Sequence, residues 1–137
     1  MKRILIALLG SAFVVGVGLS IAAEPLFAHH GRGATYDGGK EITLKGTVTE
    51  LVWRNPHVVV YADVKDAAGK TVNWAFECSN VSTMSRQGWS RNVLKAGQEI
   101  TIVANPSRAG APIGVIRKVT LADGKQITSR GNADTVD

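Results

Sequence analysis

The chain has 137 residues, of which 45% are apolar, 20% charged and 6% aromatic, and sixteen Lys and Arg against eleven Asp and Glu give a formal charge of +5. That length supports one domain and not two. The single cysteine excludes an intramolecular disulfide, and with only three histidines beside it a four-thiolate zinc site is excluded too; no phosphate-cradling glycine loop, paired CxxC motif or HExxH helix is present.

In chain order, Met1-Lys2-Arg3 is a short basic start, and Ile4 to Ala23 then runs without a charge. A positive head followed by an apolar stretch and small residues describes a secretory signal, whose basic end stays in the cytoplasm while the apolar part enters the membrane. Two cleavage positions fit, after Ala22 and after Ala28, and the stretch is also nearly long enough to remain as an uncleaved anchor. The expected organisation is a signal over 1–28, a flexible lead over 29–40, a β domain over 41–128 and a disordered tail over 129–137. The expected location is the periplasm, either free or held at the inner membrane, with the membrane touched only through the signal segment.

Gly31 to Lys40 reads as a glycine-rich loop. Ile42, Leu44, Gly46 and Val48 then alternate with polar residues at the period of a half-buried strand. After Glu50 the apolar phase slips to Leu51 and Trp53, which predicts a bulge near Thr49–Leu51. Arg54-Asn55-Pro56-His57 breaks the strand, because proline removes a ladder donor and biases the residue before it. Strands are predicted over Val58–Val64 and Val72–Cys78. A short helix over Val81–Gln87 is capped by Ser79 or Asn80 and ended by Gly88. Further strands follow over Ile100–Ala104 and Val115–Leu121, with Ile127 pairing back briefly. The order strand-strand-strand-helix-strand-strand predicts a mainly β protein, a small five-stranded OB-like barrel. The predicted core is Ile42, Leu44, Val48, Val58, Val60, Val72, Trp74, Phe76, Ile100, Ile102, Val115 and Val119.

The segments Ala28-His29-His30, TLKGTVTELVWRNPHVVVYADVKDAAGKTVNWAFE, RQGWSRNVLKAGQEITI and VTLADGK resemble the small exported bacterial proteins grouped as domain of unknown function 6152. The resemblance spans about residues 28 to 127. It rests on the His-His pair, the Trp-x-Asn-Pro-His turn, the Trp-x-Phe-Glu strand and the Gly-Trp after the helix. It implies export and a small barrel and brings no reaction with it. Gly31-Arg32-Gly33 after the histidines and the cysteine at Cys78 depart from the family's pattern.

Several side chains carry candidate chemistry. A mature chain starting at His29 would offer an amine and an imidazole for copper or zinc, with a further nitrogen from His30 or His57; the plain alternative is an exposed loop start and a structural corner in which Asn55 satisfies backbone donors. Trp53, Asn55, His57 and Trp89 are the candidate ligand-binding residues, clustered about the corner and the helix end. Trp53 and Trp89 also suit simple packing. Cys78, in phase with Trp74 and Phe76, reads as a small buried residue; the alternative is pairing between chains or a soft ligand to copper. Glu77 lies on the polar face, with Arg54, Arg86 and Arg91 as candidate partners, and Asp63 is the nearest second carboxylate. That pair makes no convincing acid–base constellation, so the expectation is a binding module of the periplasm that is not an enzyme. Its partner is an unknown periplasmic ligand or protein. Nucleic acid is not expected, because export removes the chain from it and the basic residues form no run.

Overall fold

A computed structural model describes residues 32–129; the signal segment, His29, His30 and residues 130–137 lie outside the described residues. The elements are α1 (Arg32–Thr35), β1 (Ile42–Val52), β2 (Val59–Lys65), β3 (Thr71–Glu77), α2 (Val81–Arg86), β4 (Glu99–Pro106), β5 (Ile113–Leu121) and β6 (Gln126–Thr128). The sheet order is β3-β2-β1-β4-β5-β6, and a parallel pairing of β3 with β5 closes the first five strands into a barrel. This is the architecture expected of an OB-like sequence, and β6 is the brief return predicted at Ile127.

β1 serves both halves of the barrel. Ile42 to Thr47 pair with β4, and from Gly46 onward the strand pairs with β2. Gly46 stands at the crossover. A Cβ there would lie 2.7 Å from the Asp63 carbonyl oxygen and 3.0 Å from Val64 Cγ2, so the close strand approach requires glycine. The register shift falls between Val48 and Glu50, where the apolar phase of the sequence slips. A second shift, between Val103 and Ala104, sets Ala104 opposite Ile116 while Val103 faces Lys118. That shift explains why Ile116, absent from the predicted core, is fully buried, while Val115 sits beside Glu77 in the β3–β5 register.

Val48, Val58, Val60, Phe76, Ile100, Ile102, Val115 and Val119 are buried as predicted. Ile42, Leu44 and Trp74 are only half-buried, packed against the core's margin, and Val72 is half-buried too. Trp74 stacks on Phe76 with ring centroids 5.5 Å apart and planes 11° from parallel. α2 packs against the core through Met84 and Val81. Asn80 caps it by accepting from the Thr83 amide at 2.9 Å. Gly88, at φ +84°, ends it and turns the chain inward. Trp89 is thereby driven into the core beside Met84 and Leu94.

The segment read as loop over Gly31–Lys40 is structured from Arg32 on. α1 is followed by a bridge from Tyr36 to Ser107. The Asp37 amide donates to the Pro106 carbonyl and the Arg108 amide to the Thr35 carbonyl, both tying this strap to the β4–β5 loop. Arg108 Nε also donates to the Gly33 carbonyl at 3.0 Å. Four residues, far fewer than an isolated helix needs, make one turn only because this loop receives them. Ser129, placed in the tail by the sequence reading, is buried, and its amide donates to the Arg117 carbonyl. Among the described residues no helix is long and apolar enough to cross a membrane.

Candidate functional site

The corner between β1 and β2 is built by Arg54-Asn55-Pro56-His57, with a cis peptide between Asn55 and Pro56. Asn55 Oδ1 accepts from the Val81 amide at 3.1 Å, at the start of α2. Its side chain therefore satisfies a backbone donor, as the corner reading anticipates, and locks the corner to the helix. The Val58 amide donates to the Ser79 carbonyl and the Cys78 amide to the Val58 carbonyl. Together these bonds bring His57 over the end of β3.

Glu77, the last residue of β3, is the hub. His57 Nδ1 lies 2.6 Å from its Oε1. Tyr36 donates its hydroxyl to Oε2 at 2.8 Å. Arg32 Nη2 stands 3.4 Å from Oε1 and also donates to the Cys78 carbonyl. Burial, reinforced by the bond to Glu77, raises the Tyr36 hydroxyl well above its ordinary range, so the phenol stays a donor. The sequence reading paired Glu77 with Arg54, Arg86 and Arg91, and the structure replaces them. Arg86 is held by Ser82 and Thr83 of its own helix. Asp63 is turned to Asn73, whose Nδ2 donates to it at 2.8 Å. The signal for the true partners was the spacing of Arg32 and Tyr36, four apart, which a single helical turn aligns on one face.

Beside this hub lies a hollow of about 340 Å³ over the outer face of β2 and β3. Val52, Val59, Tyr61, Ala75 and Ile113 form its largely apolar floor, and Tyr36, Arg54, Asn55, Pro56, His57 and Glu77 its wall. This is where OB barrels hold ligands, on the strand 2–3 face beside the loop joining strands 1 and 2. A larger hollow, about 690 Å³, spans the outer face of β1 and β4 and is lined by Lys45, Asp63, Lys65 and Glu99. It has charges of both signs and, among the described residues, no aromatic lining. The smaller hollow is the better candidate, because a few polar groups converge there on an apolar floor.

Of the residues singled out from sequence, Asn55 and His57 line this hollow and the two tryptophans do not. Trp53 is half-buried and packs against the core. Trp89 is 3% exposed, and its indole donates to the Thr128 carbonyl at 3.0 Å, so it is a core residue and not a ligand platform. The helix-ending glycine turns it inward, which spacing alone does not reveal. His29 and His30 lie outside the described residues. Among the described residues no three His, Cys, Asp or Glu side chains are grouped as a metal site. Cys78 is buried, and burial pushes its thiol up to about 12, which withholds the thiolate a soft metal needs.

A family model described as a family of unknown function (DUF6152) matches residues 17–132. No curated protein matches the chain.

Proposed function

The chain belongs to the DUF6152 family, and because that membership brings no reaction with it, we propose a function from the site: an exported, non-catalytic binding barrel of the periplasm that holds a small organic ligand over β2 and β3. One observation carries this reading. An apolar hollow of about 340 Å³ sits at the β1–β2 corner with its wall pre-arranged by the Glu77 hub. The groups are fixed before a ligand arrives, which lowers the ordering cost of binding. Glu77 is committed to three donors, and among the described residues no second carboxylate lines the hollow, so the arrangement favours binding over acid–base chemistry. Export is supported by the basic start and the uncharged run from Ile4 to Ala23.

The test is amide chemical-shift mapping with a library of small acids, alcohols, amines and sugars. Shifts clustering on Val59, Tyr61, Ala75 and Ile113 are expected. Shifts confined to the hollow of Lys45 and Lys65, or none at all, overturn the reading. Mass measurement of the protein recovered from the periplasm tests export, with loss of 22 or 28 residues expected.

A second reading, copper or zinc bound by His29, His30 and His57, draws on one feature. Glu77 holds His57 Nδ1 in the way a carboxylate orients a metal-ligating histidine through its other nitrogen, leaving Nε2 without a partner among the described residues. Arg32 on the same carboxylate oxygen opposes a dication there, which places this reading second. Copper affinity unchanged by both His57→Ala and His30→Ala would end it.

A further inference from the structure

The polar groups that the Glu77 hub leaves free specify what the hollow recognises, and this step rests on the binding reading above. Arg54 lines the hollow and has no carboxylate within ion-pair distance among the described residues. Arg32 already stands against the Glu77 charge. Among the described residues the wall therefore presents one uncompensated guanidinium, whose flat fork matches a carboxylate.

His57 adds a second, opposite requirement. Its Nδ1 faces a carboxylate, which only accepts hydrogen bonds. In the neutral ring the single N–H must then sit on Nδ1, and Nε2 is left with a lone pair. A ligand meeting the neutral ring must bring a donor, and a hydroxyl does so without setting a second positive charge beside Arg54. Size and floor supply the third constraint. The hollow is about 340 Å³, roughly twice the ~150 Å³ that suffices for benzene. Its floor combines Val59 and Ala75 with the ring of Tyr61, a surface suited to an aromatic face. We infer that the hollow takes a hydroxyaryl carboxylate: one aromatic ring on the floor, its carboxylate on Arg54 and its hydroxyl donating to His57 Nε2.

Calorimetric titration of the full chain at pH 8 and low ionic strength tests this with three probes: 4-hydroxybenzoate, benzoate and 4-hydroxybenzyl alcohol. The first should bind at least tenfold tighter than either of the others. Arg54→Met, an exposed loop change, should remove that advantage over the alcohol. His57→Ala should remove the advantage over benzoate. Equal affinity for all three probes overturns the inference, as does a variant that weakens all three alike. Amide shifts read in the same samples separate the two levels of the account. If the alcohol alone moves Val59, Tyr61 and Ala75, the hollow binds and the ligand class is wrong. If no probe moves them, both the class and the site are refuted.

Discussion

The bond from Tyr36 to Glu77 should be the strongest single tie between the strap and the barrel, and its strength can be worked from the structure. Tyr36 is 9% exposed, and its phenol donates at 2.8 Å to a carboxylate whose side chain is 20% exposed. Hydrogen bonds to charged groups contribute about 1.5–3 kcal/mol net. The acceptor is partly wet and also serves His57 and Arg32, so the middle of that range, about 2 kcal/mol, is expected. The Arg32 contact is longer, at 3.4 Å, and its side chain is 32% exposed, which puts its ion-pair contribution to about 0.5 kcal/mol. Urea unfolding of Tyr36→Phe, Glu77→Ala and the double variant gives the coupling, since alanine removes the acceptor. A coupling near 2 kcal/mol with unchanged m-values is predicted, and Arg32→Met with Glu77→Ala should give a clearly smaller one. A Tyr36 coupling below about 0.5 kcal/mol, or the reverse order, would refute the claim that the carboxylate organises the strap.

Other expectations concern the core and the barrel seam. Burial holds the Cys78 thiol up to about 12 against an ordinary value near 9, so the native state keeps its proton where the unfolded chain has lost it. The stability from this group is complete below pH 9 and falls by about 1.4 kcal/mol per unit between pH 9 and 12. Cys78→Ala should lack that slope in urea titrations at pH 8 and 10.5, and a parallel pH dependence in both proteins would refute the burial. Gly46→Ala should cost about 2–3 kcal/mol, because its Cβ meets the Asp63 carbonyl at 2.7 Å and backbone cannot step aside; a melting temperature equal to the parent's would contradict the crossover geometry. Trp89→Phe removes the indole bond to Thr128 and should cost about 1–2 kcal/mol. It should leave ligand affinity untouched, and a loss of binding without loss of stability would return Trp89 to the site.

The barrel was legible because its signals are local. The phase slip after Glu50 marks the bulge between Val48 and Glu50, and the Asn80 cap and Gly88 bracket α2. The corner was legible too, since Asn55-Pro56 forbids a continuing strand. What the sequence concealed is long-range. Glu77 finds Arg32 and Tyr36 more than forty residues upstream, across a segment rich in glycine that forms a turn only when docked. Trp89 and Trp53 look like ligand platforms by proximity to the corner. Side-chain direction after a helix stop, which is set by tertiary packing, instead sends Trp89 into the core and lays Trp53 against it. Ile116 was missed because the second bulge changes the facing of β5 without a mark in its apolar pattern.

The most direct trial of the account is a crystal structure of the full chain with the tightest binder from the shift-mapping library. Density for that molecule against Tyr61, with a polar group within hydrogen-bond distance of Arg54 or His57, is the predicted result. Density lodged instead between Lys45 and Lys65, with the corner empty, would contradict it.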